Sequence, residues 1–302
     1  MTMIYRAFLK WPRAAASARL TPRRGLLECP LARNLVQGRA CVSEKLTVLI
    51  PARNEEANLR DCLASARWAD ELFVVDSFST DRTLDIAREH GARVVQHEYL
   101  NSAAQKNWAI PQAAHDWVLV LDADERVSPE LAAEVRALLA QPGGPPAAAY
   151  RVFRRTFFFG REIRHCGWDT DSVVRLFRRG RARYPDQWVH ADMLVDGPVR
   201  KLAGRLDHYT YRSLDQYFEK FGRYTTWSAR DLAERGRRAG VLQLLARPLA
   251  RFVKMYFLRL GFLDGAAGAV LCGLAACSVF TKYAKLWEMQ WAGKPPAGRS
   301  GA

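Results

Sequence analysis

Asp122 and Asp124 stand one residue apart, directly after the apolar run Trp117-Val-Leu-Val-Leu121. An Asp-x-Asp pair offers oxygen ligands to a hard divalent cation, and such a cation can hold a diphosphate. A local reading competes with this one. Ser128-Pro129-Glu130 follows, an N-cap with proline at the first helical position, so the acids also suit the approach to a helix. Other polar residues sit in comparable places. Pro51-Ala-Arg53-Asn54-Glu55 follows the β-rich run Leu46–Ile50, and Asp76-Ser77 follows Leu72–Val75. Arg53 and Lys106 carry charge that can assist in binding phosphate, as can helix N-termini. Glu55 and Asp81 also fit helix capping or dipole pairing, and Lys106 also reads as an ordinary surface lysine. No G-x-G-x-x-G follows the first run, and no G-x-x-x-x-G-K-[S/T] occurs, which disfavours a dinucleotide or P-loop site.

The elements that must position these residues follow from periodicity. Strands are expected at 46–50, 72–75, 92–95 and 117–121. Helices are expected at 55–67 (with Asn54 as cap), at 79–90 (closed by Gly91) and at 102–114. Strands alternating with helices of this length imply βαβ units and an α/β fold with a parallel sheet. Right-handed crossovers then bring the strand ends, with their acids, to one edge, where α/β sheets bind ligands. Gln141–Pro146 reads as a loop, and 148–153 and 173–177 as strands. Between them, Arg154–Asp169 interleaves arginines with aromatics. That pattern suits a grip on a phosphorylated sugar, stacking on nucleic acid, or an arginine rim over an apolar lid.

The final third reads as helical, starting at a Ser213 cap. Val241–Leu260 mixes apolar residues with Arg247, Arg251, Lys254 and Arg259, a basic amphipathic pattern suited to an anionic lipid surface. Gly261–Phe280 has Asp264 as its only charge and reaches the length of a bilayer span. A membrane-seated or re-entrant helical hairpin is favoured over a clean span, and a buried helix pair is the alternative. Lys282, Lys285, Tyr283 and Trp287 suit the headgroup zone.

Composition sets the outer bounds. The 302 residues are 49% hydrophobic, ample for a core, and carry 46 basic against 31 acidic residues, a net charge of +15. Such a charge implies an anionic partner: nucleic acid, a phosphorylated substrate or a lipid surface. The six cysteines are scattered without zinc-site spacing, so reduced thiols are the expectation. Residues 1–44 are basic, with Glu28 the only acid before Glu44. They lack the apolar core of a secretory signal and read as a disordered arm. Residues 293–302 read as a disordered tail.

Three ordered motifs now carry a resemblance. Leu49-Ile-Pro-Ala-Arg-Asn-Glu-Glu56, Val74-Val-Asp-Ser-Phe-Ser-Thr-Asp-Arg-Thr83 and Leu119-Val-Leu-Asp-Ala-Asp-Glu125 resemble glycosyltransferase family 2. Arg175-Leu-Phe-Arg-Arg179 and Phe262-Leu-Asp-Gly265 narrow the likeness to the branch containing the lipopolysaccharide-core β-1,4-glucosyltransferases. The resemblance implies a GT-A fold (Rossmann-like, mostly parallel) over 45–210 and a helical membrane-associating region over 211–292. It implies inverting transfer from a nucleoside-diphosphate sugar, UDP-glucose by family, to a lipopolysaccharide-core or other lipid-linked, phosphorylated glycan. It also implies work at the cytoplasmic face of the inner membrane, in a peripheral or re-entrant seat. By position, Pro51, Arg53 and Glu55 would line the nucleoside pocket, and Asp76 would contact the base. Lys106 would flank the nucleotide and Asp122 would approach the ribose or metal. Asp124 would hold a divalent cation, Mg2+ or Mn2+. A polyprenyl-phosphate or capsular acceptor is the alternative within the family. A basic nucleic-acid-binding protein is the alternative outside it, and it is disfavoured because it leaves the acids at three strand ends unexplained. An inverting transfer also needs a carboxylate base. Where the branch usually shows Val-His-Glu, this chain reads Val189-His190-Ala191-Asp192. Asp192 is the expected base and His190 its rival, with Asp169 and Asp171 further candidates.

Overall fold

The structure, a computed structural model, describes residues 43–185 and 192–292. Most of the expected basic arm, the expected tail and His190 lie outside the described residues. The first half alternates as its periodicity requires: β1 (Leu46–Ala52), α1 (Glu56–Ala66), β2 (Glu71–Asp76), α2 (Thr83–Glu89), β3 (Arg93–Gln96), α3 (Ser102–Ala109) and β4 (Trp117–Val120). These strands pair in the order β3-β2-β1-β4, all parallel. Both faces of this half are covered. Val48, Ile50, Val74 and Leu119 pack under α1 and α2, while Leu49, Val75, Val118 and Val120 pack under α3. That double burial explains the unbroken apolar runs, and each fully buried Leu, Ile or Phe contributes about 1.5–3 kcal/mol.

The second half adds β5 (Glu125–Val127), α4 (Pro129–Leu139), β6 (Ala149–Phe158), β7 (Arg161–Ile163), β8 (Ser172–Arg178), β9 (Ala182–Arg183), β10 (Leu194–Val195) and β11 (Val199–Tyr211). The main sheet continues β4-β8-β6-β11-β5. Here β8 runs antiparallel to both β4 and β6, and β11 runs parallel to β6 but antiparallel to β5. The result is the GT-A layout, with an all-parallel first half and a mixed second half in which β6 and β11 pair in parallel and the other neighbours are antiparallel.

Local chemistry sets the boundaries. Ser128 caps α4 by accepting from the Leu131 N–H at 3.2 Å, as its sequence position predicts. Asn54 does not cap α1. It sits at φ +53° and its side-chain oxygen accepts from the Thr80 N–H at 2.9 Å, tying the β1–α1 loop to the β2–α2 loop. The short strand β5 replaces the expected direct run from Asp124 into a helix. Three residues are too few to announce a strand by period.

Three helices complete the chain: α5 (Leu214–Glu234), α6 (Val241–Val253) and α7 (Gly265–Trp291). The Ser213 hydroxyl caps α5 by accepting from the Gln216 N–H at 3.2 Å. A wide turn, with the Arg259 N–H donating to Lys254 O at 2.9 Å, and a 3-10 turn over Gly261–Asp264 reverse the chain between α6 and α7. Helix α7 continues past the apolar stretch to Trp291, within the helical region expected over 211–292. The hairpin docks on the sheet through Phe158, Trp168, Tyr211, Tyr217, Leu271 and Ala275. The arginine–aromatic stretch therefore supplies a floor for the helices rather than an open grip. Arg154 is buried, and Arg155 pairs with Asp207 at 2.6 Å.

Gly204 in β11 tests how tightly the second half is packed. A β-carbon there would lie 2.5 Å from Leu131 Cα on α4. Overpacking of this kind costs about 1–3 kcal/mol, so Gly204→Ala should lower the urea midpoint with the slope unchanged. An unchanged midpoint would mean that β11 and α4 can separate.

Candidate active site

The polar residues that end β1, β2 and β4 meet at one edge of the sheet because the three strands are parallel and in register. Pro51 pairs with Val75 and Ala52 with Asp76 across β1 and β2. Asp122 follows β4 one residue on, after Leu121. This edge is where open α/β sheets bind ligands.

Asp122 is clamped between two cations. Lys106 Nζ on α3 donates to Asp122 Oδ1 at 2.8 Å, and the Arg175 guanidinium on β8 bonds to Oδ2. Arg175 also reaches Glu125 Oε1 at 2.6 Å, where Arg154 approaches at 3.3 Å. The other oxygen of Glu125 accepts the Asp122 N–H at 3.0 Å. Glu125 is 0% exposed, and Arg154 bonds on to Asp171 at 2.6 Å. Burial alone would push the Asp122 carboxyl up, but Arg175 and Lys106 hold it well below the usual carboxylate range. Burial likewise opposes charge on Lys106, and Asp122 holds its ammonium in the charged form.

Asp124 differs. Its side chain is 22% exposed, and its one ion-pair contact among the described residues is with His208 Nε2 on β11, at 3.6 Å. Burial works against ionisation, yet His208 outweighs it and brings the Asp124 pKa down to about 2. Glu55 faces the same space. Burial raises its pKa, and Asp124 and Asp122 add to that, while a 2.8 Å bond from Asn58 Nδ2 opposes it. Across the edge, Lys220 and Tyr224 on α5 lie close enough to feel these carboxylates.

The other sequence-derived residues are placed as follows. Asp76 is fully buried, and its oxygens accept from the Ser79 N–H and Gln96 Nε2, each at 3.0 Å. Arg53 is exposed. Asp81 closes the loop beside it, accepting from the Glu56 N–H at 3.1 Å and the Thr83 N–H at 3.0 Å, a structural role. Asp171 is spent on Arg154 and is not placed to act as a base. Asp169 is exposed. Asp192 is 54% exposed, with Arg151 at 3.5 Å. Its neighbour Met193 joins the apolar layer under α3 that also takes Tyr184, and Tyr184 is bonded to Asn107, next to Lys106, at 2.8 and 2.9 Å. His208, Arg175 and Glu125 were not among the residues singled out as functional. Arg175 and Glu125 lie inside the quoted motifs, but their pairing is non-local. His208 sits on a strand whose pattern gave no chemical signal.

Asp124 also decides what the site can do with a divalent cation. Among the described residues, no group of three or more His, Cys, Asp or Glu is gathered in metal-holding geometry. Asp122 has both oxygens engaged. Asp124, whose one ion-pair contact among the described residues is His208, is the less engaged of the two aspartates. That fits a cation whose remaining ligands come from a diphosphate and water.

Carboxylates and a lysine are thus gathered at the ligand edge of a GT-A-like sheet. The glycosyl transferase family 2 profile matches residues 47–193. The lipopolysaccharide core biosynthesis glycosyltransferase LpsC of Rhizobium meliloti is 30% identical over 79% of this chain and 93% of its own length. A glycosyltransferase of Rickettsia typhi is 28% identical over 82% and 88%. Among solved structures, S. aureus TarS 1–349 with UDP-GlcNAc is 16% identical over 84% of this chain and 93% of its own, with a TM-score of 0.43. The chain belongs to glycosyltransferase family 2.

Two outcomes follow from the ion network. Arg175→Met leaves Glu125 and Asp122 buried beside each other and should cost about 3–5 kcal/mol in denaturant unfolding; a loss below 1 kcal/mol would mean the network is not needed for the fold. Asp124 has a folded pKa of about 2 against an ordinary 3.8, so it contributes on the order of 2 kcal/mol of stability above pH 4, lost as pH falls toward 2. Urea titrations between pH 5 and pH 2 should therefore show a flatter stability profile for Asp124→Asn than for the wild type. Parallel profiles would refute the shift.

Proposed function

We propose that the protein is an inverting, metal-assisted hexosyltransferase, moving glucose from UDP-glucose to a lipopolysaccharide-core or related lipid-linked, phosphorylated glycan at the cytoplasmic membrane surface. The observation that carries this reading is the division of labour between Asp122 and Asp124. Asp122 is neutralised by Lys106 and Arg175. Asp124 stays ionised and reachable, with a pKa of about 2. The relative LpsC, named for lipopolysaccharide core biosynthesis, supports the acceptor class.

Mg2+ or Mn2+ on Asp124 would neutralise the charge of the departing diphosphate. The chain's own residues do the rest. Pro51, Arg53, Glu55 and Asp76 form the nucleoside side. Lys106 orients Asp122 toward the ribose. Asp192 takes the proton from the acceptor hydroxyl on the face opposite the diphosphate. Support for Asp192 is its exposed carboxylate and its attachment, through Met193 and Tyr184, to the layer beside Lys106. His190 remains its rival within the same segment.

The seat on the membrane rests on the C-terminal helices. Gly261–Trp291 has a mean hydropathy of 1.7 over its most apolar window, of which 33% is buried against the protein. Lys285 on α7 donates to Thr225 and Thr226 on α5, at 2.9 and 2.7 Å. A helix bound this way along one side suits a seat in one leaflet better than a span. In the arginine–aromatic stretch Phe158, Trp168 and Arg154 are buried, while Arg161 and Arg164 stay exposed at its rim.

The test is a donor screen with lipid extracts as acceptor, read as free nucleoside diphosphate and as product mass. UDP-glucose should give acceptor-dependent UDP release and a product heavier by one hexose. Release from no nucleoside-diphosphate sugar would sink the reading. Asp192→Asn should reduce turnover by about 10²–10⁴-fold while UDP still raises the melting temperature. Near-normal turnover would remove Asp192 from the role.

A further inference from the structure

The positive charge near the C-terminus is not evenly spread. A cavity of about 490 Å3 opens where the end of α5, the start of α6 and the middle of α7 meet, lined by Arg237, Arg238 and Arg247 with Gln243 and Tyr283. No carboxylate lines it. Neither Arg237 nor Arg238 has an ion-pair partner among the described residues. Uncompensated guanidinium groups around a cleft raise the local potential and match the geometry of phosphate oxygens.

The walls of this cavity are fixed. Gly236, at φ +66°, ends α5, and the Arg237 N–H returns to Leu232 O at 2.9 Å. Gln290 on α7 holds Ala239 from both sides: its Oε1 accepts the Ala239 N–H at 3.1 Å and its Nε2 donates to Ala239 O at 3.0 Å. Arg247 donates to Tyr283 Oη at 2.6 Å, with its guanidinium 5.1 Å from the ring centroid. One edge of Arg247 is thus anchored and the rest of the fork is free to face a ligand. Such anchoring lowers the ordering cost of binding.

The same helix offers an apolar edge. Val241, Leu242, Leu245 and Leu249 on α6 are 64–72% exposed, and Phe257 and Leu258 extend the patch. At 3.6 residues per turn, Arg247 lies about half a turn round α6 from the centre of this stripe. A helix lying in the membrane surface sinks its apolar side below the headgroups and holds its basic side at their level. A cavity of three arginines on that basic side then meets headgroup phosphates.

We propose that the Arg237–Arg238–Arg247 cavity is a binding site for the phosphate of an anionic membrane lipid, whose acyl chains lie along the exposed leucines of α6. The site lies on the hairpin rather than at the Asp122–Asp124 edge. It ties the enzyme to an anionic leaflet and sets how the hairpin sits there. This rests on the membrane seat proposed above.

Flotation of the full chain with vesicles tests the site and the seat separately. The wild type should bind equimolar phosphatidylcholine–phosphatidylglycerol vesicles far more tightly than phosphatidylcholine alone. Two variants each remove two positive charges from the hairpin: Arg238→Gln with Arg247→Gln, and Lys254→Gln with Arg259→Gln. Each near-surface charge is worth about fivefold in binding. Diffuse attraction alone would cost either pair roughly 25-fold of the anionic preference; the cavity pair should lose clearly more than that and the control pair no more, with melting temperatures unchanged. Equal losses mean diffuse attraction and overturn the site, while leaving the seat intact. Loss of binding to both vesicle types by Leu242→Asp with Leu245→Asp supports the seat. A wild type that binds no vesicle overturns both. A final arm uses inorganic phosphate alone. If it raises the melting temperature through Arg238 and Arg247 while the vesicle preference does not depend on them, the site takes free phosphate and the lipid assignment falls.

Discussion

Glu125, wholly removed from water, holds one oxygen toward Arg175 and Arg154 and the other toward the Asp122 backbone. The candidate site depends on this arrangement. A buried carboxylate without partners would be expelled or protonated, whereas one with two guanidinium groups can stay ionised. Arg175 comes from β8 and Arg154 from β6, so the network crosses from the parallel half of the sheet to the mixed half. It fixes the turn after β4 from below. Lys106 fixes it from the α3 side. With Asp122 fully neutralised, Asp124 one residue later becomes the carboxylate with charge to spare.

This explains why two aspartates of identical chemistry behave differently. Both are depressed in pKa, but through different partners: Arg175 and Lys106 for Asp122, His208 for Asp124. Two cations hold both Asp122 oxygens in place. A single imidazole at 3.6 Å leaves room. Burial raises the Glu55 pKa most, and Asp124 and Asp122 add to it. The site therefore combines a doubly clamped aspartate, a less engaged one and a glutamate whose pKa is raised.

The helical third serves the same end by other means. It docks on aromatics from β6, β11 and the β7–β8 loop, which places α5 across the ligand edge, with Lys220 and Tyr224 toward the carboxylates. On its far side it exposes leucines and arginines in separate stripes. One helical unit thus brings Lys220 and Tyr224 to the candidate site and presents an amphipathic surface. A lipid-linked acceptor on that surface would arrive beside the site.

The sequence by itself determined the parallel half of the sheet, because strands buried on both faces write unbroken apolar runs and the helices between them write a 3.6-residue period. It also determined that acids end three strands, and the motif spacing carried the family. It missed β5 and did not resolve β11. Their lengths and polar faces carry weak periodic signals, and their partners lie far along the chain. For Arg154–Asp169 it left open a grip, a stacking surface or an arginine rim over an apolar lid, and the packed aromatics with exposed Arg161 and Arg164 fit the rim. Only the tertiary structure decided which acid keeps a free valence, because that depends on cations 16 and 53 residues away from Asp122. The charge of a side chain is written locally, whereas its burial and its partners, which set whether that charge is available, are fixed only when distant strands meet.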